Sequence, residues 1–409
     1  MSACRLCGAD NRRLVLSLGQ SPLANAYLRA DQLASMEPFY PLDLYLCASC
    51  MLVQLDAVET PDHIFSDYAY FSSYSTTWLA HADNYVAMMI ERFGFDSDSQ
   101  VLEIASNDGY LLQYFHERGI PVLGIEPAAN VAEAAQKKDI PTRIAFWSSA
   151  LADEFVAEGY KAYLIIGNNV LAHVPVLNDF VEGIKRALKP EGIVTMEFPH
   201  LLRLIEENQF DTIYHEHFSY FSFHAAREAF ARHNLTVFDV QELPTHGGSL
   251  RVFARHAGSH CHPVTDNVAS LEEKERSAGL LDLDYYDSFA ERVAETKRAL
   301  LSFCIDAKRA GKRIAAYGAA AKGNTLLNYC GIRTDFIDYT LDRNPRKQGH
   351  FLPGTHIPIF PPEHIQVDKP DYLLILPWNL RDEIVEQMAH IREWGGHFVI
   401  PIPKVEIIP

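Results

Sequence analysis

The sequence lacks the long apolar run and the excess of positive charge that would place a protein in a membrane or on nucleic acid. No stretch of about 18 apolar residues occurs, so we predict no membrane-spanning helix. Lysine and arginine number 36 against 53 aspartate and glutamate residues, which gives a formal net charge of −17 over 409 residues. This acidity argues against nucleic acid or an anionic membrane as the main partner, although a locally basic pocket can still hold an anionic substrate.

Cysteine is also scarce, and its pattern argues against a disulfide framework. The chain has seven cysteines, an odd number, and its first residues do not resemble a signal peptide. We therefore expect a reducing compartment, the cytoplasm, in which thiols are free or bound to metal.

Four of the cysteines form two matched pairs. Cys4 and Cys7, and likewise Cys47 and Cys50, are separated by two residues, which is the spacing of a tetrahedral zinc site. The alternative is two dithiol redox motifs. The surrounding residues 1–75 are loop-rich and too irregular to build a large core. We predict a structural zinc ion here, whose four thiolate ligands leave no open position for substrate.

The rest of the chain alternates between short apolar strands and helices, which predicts an α/β fold with a doubly wound, mostly parallel sheet. Antiparallel strands at 237–241 and 249–253 would close that sheet. Linking helices are expected at 268–310, before a second, smaller alternation. The predicted strands are 101–104, 122–125, 162–166 and 193–197 in the first unit and 313–317, 336–341, 372–376 and 397–400 in the second, and the predicted helices are 111–118, 131–138 and 177–188.

The turn after the first of these strands carries polar side chains where a dinucleotide-binding turn needs glycine. Ala105 and Asn107 occupy two of the glycine positions, which disfavours a pyrophosphate. Negative charge suits the ammonium and sulfonium groups of S-adenosylmethionine, and Glu126 at the end of the next strand would accept ribose hydroxyls. A strand-turn-helix without a ligand is the alternative. The cofactor residues predicted here are Glu103, Ser106, Asn107, Asp108, Gly109, Glu126 and Pro127.

Polar residues also follow the third predicted strand, at the edge where doubly wound sheets bind ligands. Asn168 and Asn169 are expected to position cofactor or substrate. His173 points into the same opening if the next helix starts near Val176, and a capping or core role is its alternative.

Residues 210–222 crowd tyrosine, glutamate and two histidines into an aromatic-rich run. Removing a proton from carbon needs a base whose pKa lies near about 7 and a donor that stabilises the enolate. His217 would be the base and Tyr214 the donor. Glu216 would orient His217 or bind a hydroxyl. A surface aromatic loop with scattered histidines has the same composition, and spacing alone leaves both interpretations open.

The second alternation opens with a loop rich in glycine and alanine, from Tyr317 through Lys322 to Asn324. It lacks the Gly-Lys-Ser/Thr ending of a phosphate loop, so nucleotide hydrolysis is not expected. Small residues, a helix N-terminus and Lys322 favour a diphosphate, and residues 342–347 add cations. A Rossmann-like unit used only for packing is the alternative.

Together these motifs resemble the nucleotide-sugar C-3-methyltransferases of deoxysugar biosynthesis, which make branched sugars such as mycarose. The resemblance spans essentially the whole chain. The matching segments are the paired cysteines, the tyrosine-rich run 68–73, the turn 103–109, the segment 173–175, the run 214–218, the segment 246–248 with Arg251, and the loop 317–322.

The resemblance implies a zinc-binding domain at 1–75 and a class I, Rossmann-like methyltransferase domain at 76–256 that binds S-adenosylmethionine. It also implies linking helices and a C-terminal Rossmann-like domain at 257–409. The outer domains would hold a nucleotide-diphospho-sugar, carrying TDP or GDP, in a monomer or a dimer.

The resemblance further implies residue roles. The catalytic residues implied are His217, Glu216, Tyr214, His173, and Tyr70 or Tyr68. The substrate-binding residues implied are His246, Arg251, Tyr317, Lys322 and Asn324. One departure is that Ala105 and Ser106 stand where relatives often have glycine and cysteine, which we expect to alter the packing of the turn and not the cofactor. His215 receives no role.

Three functions are weighed. The first is methylation of carbon-3 of a nucleotide-linked 4-keto-6-deoxy sugar through an enolate, with His217 as base. The second is O-methylation of a sugar or small metabolite, and the third is a non-catalytic scaffold. A dehydrogenase is disfavoured by the glycine-poor turn.

Overall fold

The computed structural model describes residues 3–60 and 71–409, which form three sheets. The N-terminal part contributes β1 (Arg12–Ser21), β2 (Tyr40–Cys47) and β3 (Val53–Leu55). The central part contains α1 (Thr76–Phe93), β4 (Val101–Ile104), α2 (Leu112–Glu117), β5 (Val122–Ile125), α3 (Ala129–Gln136), β6 (Thr142–Arg143), α4 (Ser149–Ala157), β7 (Ala162–Asn168), α5 (Leu177–Ala187), β8 (Leu188–Pro199), α6 (Leu201–Glu206), β9 (Ser219–Tyr220), α7 (Phe223–Ala231), β10 (Leu235–Leu243) and β11 (Ser249–His256). The C-terminal part contains α8 (Asp266–Ser277), α9 (Phe289–Arg309), β12 (Ile314–Tyr317), α10 (Ala321–Cys330), β13 (Thr340–Leu341), β14 (Ile359–Phe360), α11 (Ile365–Asp368), β15 (Tyr372–Ile375), α12 (Arg381–Gln387), β16 (His397–Ile400) and β17 (Glu406–Ile408).

The central sheet has the order β10-β11-β8-β7-β4-β5-β6. Its five strands from β8 to β6 are parallel, and β11 and β10 add an antiparallel edge. The C-terminal sheet has the order β14-β13-β12-β15-β16-β17, and its last strand runs antiparallel to the others. The predicted α/β fold, with a doubly wound central sheet and a smaller Rossmann-like unit, is confirmed.

Serine residues begin three of the central helices. The hydroxyl oxygens of Ser75, Ser148 and Ser222 accept hydrogen bonds from backbone N–H groups three residues on, at 3.2, 3.1 and 3.0 Å. Each bond satisfies a donor that the first helical turn leaves without a partner. α1 ends at Gly94, whose φ of +69° is the left-handed conformation that glycine adopts easily.

A strand from the central part completes the N-terminal sheet, whose order is β1-β2-β3-β9. Val53 pairs with Tyr220, and Gln54 pairs with Ser219. The core beneath this sheet is shared, because leucines of β1 and β2 pack in one apolar cluster with residues of α9, α10 and β12. The run 210–218, which carries the predicted catalytic residues, therefore leads directly into the N-terminal sheet. The domain boundaries at 75 and 256 stay a proposal.

One predicted strand is largely wrong. The apolar stretch 336–341 is extended only at β13, since the N–H groups of Phe336 and Ile337 both bond to the carbonyl of Arg333 in a turn. The linking segment 268–310 forms α8 and α9 as expected. Among residues 3–60 and 71–409, we find no helix long and apolar enough to cross a membrane.

Candidate active site

The turn after β4 is bent into conformations that suit glycine. Ala105 has a φ of +57° and Asn107 a φ of +51°, followed by Gly109 at +73°. The left-handed region costs an alanine about 1–2 kcal/mol because its Cβ crowds the backbone. The departure from glycine at residue 105 is therefore a strained one, and it lies on the surface of the main cavity.

We expect Ala105→Gly to stabilise the cofactor-free protein by about 0.5–1 kcal/mol, since relief of strain exceeds the entropy that glycine adds to the unfolded chain. Denaturant unfolding measures this change. Ala157→Gly is the matched control, because Ala157 ends α4 in an ordinary helical conformation and should lose up to about 1 kcal/mol. If both changes lowered the free energy of unfolding equally, Ala105 would not be strained.

Glu126 closes the turn from the neighbouring strand. One carboxylate oxygen accepts the Asn107 N–H at 3.0 Å and the other accepts the Ala128 N–H at 2.9 Å. Burial raises the pKa of Glu126 to about 7, although both backbone hydrogen bonds oppose the rise. Glu103 lies deeper, and burial raises the pKa of its carboxyl well above the usual value.

A cavity of about 610 Å³ opens at the carboxyl edge of the central sheet. Of the predicted cofactor residues, those on its surface are Asn107, Glu126, Pro127, Asn168 and Asn169. The remaining four, Glu103, Ser106, Asp108 and Gly109, lie behind that surface.

The cavity fits S-adenosylmethionine chemically. The side-chain oxygens of Asn168 and Asn169 are buried and have no hydrogen-bond partner among residues 3–60 and 71–409, and both residues line the cavity. Phe146, Trp147 and Phe180 add an apolar surface of the kind that an adenine ring occupies. None of the three was predicted as a cofactor residue: Phe146 and Trp147 follow the two-residue strand β6, which has no recognisable pattern, and Phe180 lies within α5, where an apolar side chain looks like an ordinary core residue. The cavity thus offers acceptors for polar groups and an apolar slot for a base.

His217 has one ring nitrogen fixed and the other available. Its Nδ1 lies 2.9 Å from the backbone carbonyl of Thr212. A carbonyl only accepts, so Nδ1 carries the proton, and Nε2 is the basic nitrogen of the neutral ring. Burial lowers the pKa of His217 well below its usual value, and the nearby His173, His246 and Lys322 contribute to that shift. His217 is therefore neutral near pH 7, as a base must be.

Two other predicted catalytic residues surround His217. The Tyr214 ring lies 4.0 Å from the His217 ring, and the His173 ring lies 4.7 Å from it, centroid to centroid. All three line the cavity. Burial lowers the pKa of His173 to about 4, although a hydrogen bond from its ring to the backbone of Glu216 opposes the fall. His215 points away, toward the carbonyl of Pro41.

Glu216 does not orient His217, contrary to one of the two roles considered for it. One oxygen accepts a hydrogen bond from the Asn25 amide at 2.7 Å, and the other is buried and has no partner in the part of the chain that the structure describes. Burial raises the pKa of Glu216 to about 7, although Asn25 and the charge of Lys347 oppose the rise. Lys347, one of the cations expected at 342–347, lines the cavity. Asn25 and Thr212 also line it, but no site role was predicted for either of them.

The C-terminal part contributes cations to the same cavity. Lys322 stands in the first turn of α10, and its ammonium group donates to the Asn379 side chain at 2.7 Å. Lys347 donates to the carbonyl of Ala319 at 2.8 Å. Both lysines and His246 line the cavity. Asn169 donates to Nε2 of His246 at 3.2 Å.

Three predicted substrate residues lie away from the cavity and have partners elsewhere. Arg251 forms a buried ion pair with Glu197, with N and O 2.6 Å apart. The Tyr317 hydroxyl meets Gln387 at 3.3 Å. The Asn324 amide donates to the carbonyl of Ala24 at 2.6 Å. Each therefore holds the structure together. Tyr68 and Tyr70 lie outside the described residues.

The four paired cysteines converge on one point. Their sulfurs lie within 4.8 Å of one another, with Cys4 and Cys50, and Cys7 and Cys47, 3.6 Å apart. Two thiolates bound to one tetrahedral zinc ion lie roughly 3.8 Å apart, given Zn–S bonds of about 2.3 Å. The Gln54 amide also lies 3.2 Å from the Cys4 sulfur. The donor set fits zinc, as predicted.

A doubly wound sheet with an antiparallel edge and this cavity defines a class I, S-adenosylmethionine-dependent methyltransferase. The C-methyltransferase NovU of Streptomyces niveus is 36% identical to this chain over 405 residues, which cover 99% of this chain and 96% of that protein. Family models match for a zinc binding domain at 4–65, a methyltransferase domain at 78–240 and a C-methyltransferase C-terminal domain at 244–403. The chain belongs to this C-methyltransferase family and uses S-adenosylmethionine and a structural zinc ion.

Two solved structures are similar to less than half of this chain at low identity. An S-adenosylmethionine-dependent methyltransferase from Clostridium acetobutylicum ATCC 824 is 10% identical, with a TM-score of 0.36 over 44% of this chain and 92% of that one. The PH0226 protein from Pyrococcus horikoshii OT3 is 12% identical, with a TM-score of 0.37 over 48% of this chain and 100% of that one. At these scores the two likenesses carry no weight in the assignment.

Proposed function

We propose that the enzyme methylates carbon-3 of a nucleotide-linked 4-keto-6-deoxy sugar through an enolate, with His217 as the base. The observation that carries the proposal is a single cavity that reaches from the cofactor turn, past the basic nitrogen of His217, to two lysines of the C-terminal part. A reaction between a sulfonium methyl group and an anionic sugar nucleotide needs these three features together. NovU is named only as a C-methyltransferase, so the sugar is part of the proposal.

The diphosphate would lie between Lys322 and Lys347. The two ammonium groups approach the cavity from the first turn of α10 and from the loop after β13. A helix N-terminus favours phosphate, and an ammonium group in a buried site binds it more strongly than in water. Burial lowers the pKa of Lys322, and the negative charge of a diphosphate would oppose that fall by favouring the ammonium form.

The chemistry follows from the position of His217. Nε2 takes the proton from carbon-3, and the electron pair of that C–H bond moves onto the neighbouring carbonyl oxygen as an enolate. Tyr214 and His173 lie beside the base and would hold that oxygen. When bound, S-adenosylmethionine supplies an electrophilic methyl group, which the enolate carbon accepts. The free oxygen of Glu216 would hold a sugar hydroxyl.

Incubation of TDP- and GDP-linked 4-keto-6-deoxy sugars with methyl-labelled S-adenosylmethionine tests this proposal. We expect label on a carbon next to the ketone, located by NMR of the product, and deuterium uptake at that carbon in heavy water. Label on a sugar oxygen would support the alternative of O-methylation. Membership of an enzyme family already disfavours the third reading, a non-catalytic scaffold.

Replacement of Lys322 or Lys347 by methionine should raise the KM for the sugar nucleotide by about 10- to 100-fold, since each removes a charge-assisted hydrogen bond worth about 1.5–3 kcal/mol. The affinity for S-adenosylmethionine should stay within about twofold. Steady-state kinetics measures the KM, and calorimetry measures the affinity for S-adenosylmethionine. Lys404→Met, on an exposed loop, is the matched control. An unchanged KM in both variants would show that the diphosphate does not bind between Lys322 and Lys347.

A further inference from the structure

Trp378, which does not line the cavity, links the C-terminal part to the catalytic run. Its indole N–H donates to one carboxylate oxygen of Asp211 at 2.8 Å. The ammonium group of Lys322 lies over its ring, 4.6 Å from the ring centroid. Trp378 is 7% exposed and Asp211 is fully buried. One side chain thus contacts both the lysine of the proposed diphosphate site and the run that carries the base.

Asp211, which accepts the hydrogen bond from Trp378, precedes Thr212, whose carbonyl orients His217. Asp211 and Thr212 lie in the same short 3-10 turn, Phe210–Thr212. The Thr212 carbonyl accepts the Nδ1 proton of His217 at 2.9 Å. A shift of this turn would move that carbonyl and release the ring to rotate or to change tautomer.

Trp378 is also packed closely against the segment that carries His246. A Cβ added to Gly247 would lie 2.6 Å from the Trp378 ring and 2.7 Å from the side-chain nitrogen of Gln209. That nitrogen donates to the Gly247 carbonyl at 2.7 Å. The indole therefore has little freedom, and its position fixes that of Asp211.

We propose that Trp378 is a positioning residue that holds the 210–212 turn, and through the Thr212 carbonyl keeps His217 in the Nδ1–H tautomer with Nε2 toward the substrate. The inference rests on the proposed role of His217 as base. It adds that the C-terminal part, which would hold the diphosphate through its lysines, also positions the base through Trp378, a residue outside the cavity.

Trp378→Phe removes the N–H group and keeps an aromatic ring under Lys322. We expect kcat for hydrogen exchange at the substrate carbon to fall roughly 10- to 100-fold, as for small misplacements of catalytic groups. KM should change by less than about twofold, because the ring still supports Lys322. In the free protein, nitrogen-15 NMR of the histidine rings should show His217 passing from one tautomer, Nδ1–H, to a mixture. His217→Asn assigns the signal.

Two controls separate positioning from general destabilisation. Trp394→Phe removes an indole N–H that donates to the Pro370 carbonyl at 3.1 Å, and it should leave kcat and the tautomer unchanged. Asp211→Asn keeps an oxygen acceptor for Trp378 and should retain the Nδ1–H tautomer. If Trp378→Phe does not fold, Asp211→Leu breaks the same hydrogen bond from the other side, with the same expected result.

An unchanged kcat in Trp378→Phe, or a His217 ring that keeps its single tautomer, would overturn the proposal. The NMR measurement needs no substrate, so it still tests the link between Trp378 and His217 if the sugar nucleotides prove not to react. If no keto-sugar is methylated but Trp378→Phe still changes the His217 tautomer, only the proposed function is contradicted.

Discussion

Replacement of His217 by asparagine should lower both hydrogen exchange at the substrate carbon and methylation by about 10²- to 10⁴-fold, the usual contribution of a general base. The asparagine amide can still donate to the Thr212 carbonyl, so the run should keep its conformation while Nε2 is lost. Exchange is followed by proton NMR in heavy water, and methylation by transfer of label. S-adenosylmethionine should bind with unchanged affinity, because the change leaves the predicted cofactor residues, such as Asn107 and Glu126, intact.

His116→Asn is the matched control for this change, because His116 is exposed on α2. It should leave both rates unchanged. Normal exchange without methylation in the His217 variant would show that another group removes the proton. His173 would then be the next candidate, since its ring lies 4.7 Å from that of His217.

The pH dependence of exchange should carry the same signature. A histidine whose pKa is lowered stays neutral, and so remains a base, until the pH falls well below the usual value of 6.5. The acid limb of the wild-type rate profile should therefore lie below about pH 6.5.

The parts of the fold that local pattern determines were predictable. Strand-helix alternation located β4, β5, β7 and β8, because each buried strand is short, apolar and bounded by a turn. The matched cysteine pairs predicted the zinc site for a similar reason, since ligand spacing is local. The run 210–218 predicted His217, and the resemblance to a family supported the assignment.

Contacts between distant segments were not predictable. The family resemblance implied that Arg251 binds substrate, but the antiparallel register of β8 and β11 places it opposite Glu197. Burial would raise the pKa of Glu197, yet His81 and Arg251 outweigh it and lower that pKa to about 2. The register of this strand pairing, which the sequence does not reveal, decides the partner of Arg251. The same register keeps Arg251 out of the cavity.

The position of Glu216 was missed in the same way. Proximity in sequence suggested that it orients His217, but residues 214–217 form a turn, in which the His217 N–H donates to the Tyr214 carbonyl at 2.9 Å, and the Glu216 side chain contacts another part of the chain. Its amide partner, Asn25, comes from the N-terminal part. The backbone of Thr212 takes the orienting role instead, and a backbone carbonyl has no identity that a sequence motif can display.

The zinc site is joined to the catalytic run by hydrogen bonds, which makes its removal consequential. Cys47 and Cys50 lie between β2 and β3, and β3 pairs with β9, which starts two residues after His217. The Leu55 N–H donates to the Phe218 carbonyl at 3.1 Å, and the Phe218 N–H donates to the Ala172 carbonyl at 2.7 Å. Phe218 is thus held between β3 of the N-terminal sheet and the segment that carries His173.

Cys50→Ser should therefore reduce bound zinc below one equivalent and lower hydrogen exchange by about 100-fold, as expected when a catalytic group loses its support. Structural zinc contributes roughly 10–16 kcal/mol in small zinc-dependent domains, more than the stability of most domains, so the N-terminal sheet should unfold first on heating. Metal analysis, calorimetry and exchange measure these effects. Cys261→Ser, at an exposed cysteine, should change none of them. Full hydrogen exchange in a zinc-free variant would contradict this prediction. It would mean that the central sheet alone holds β9 and His217 in place.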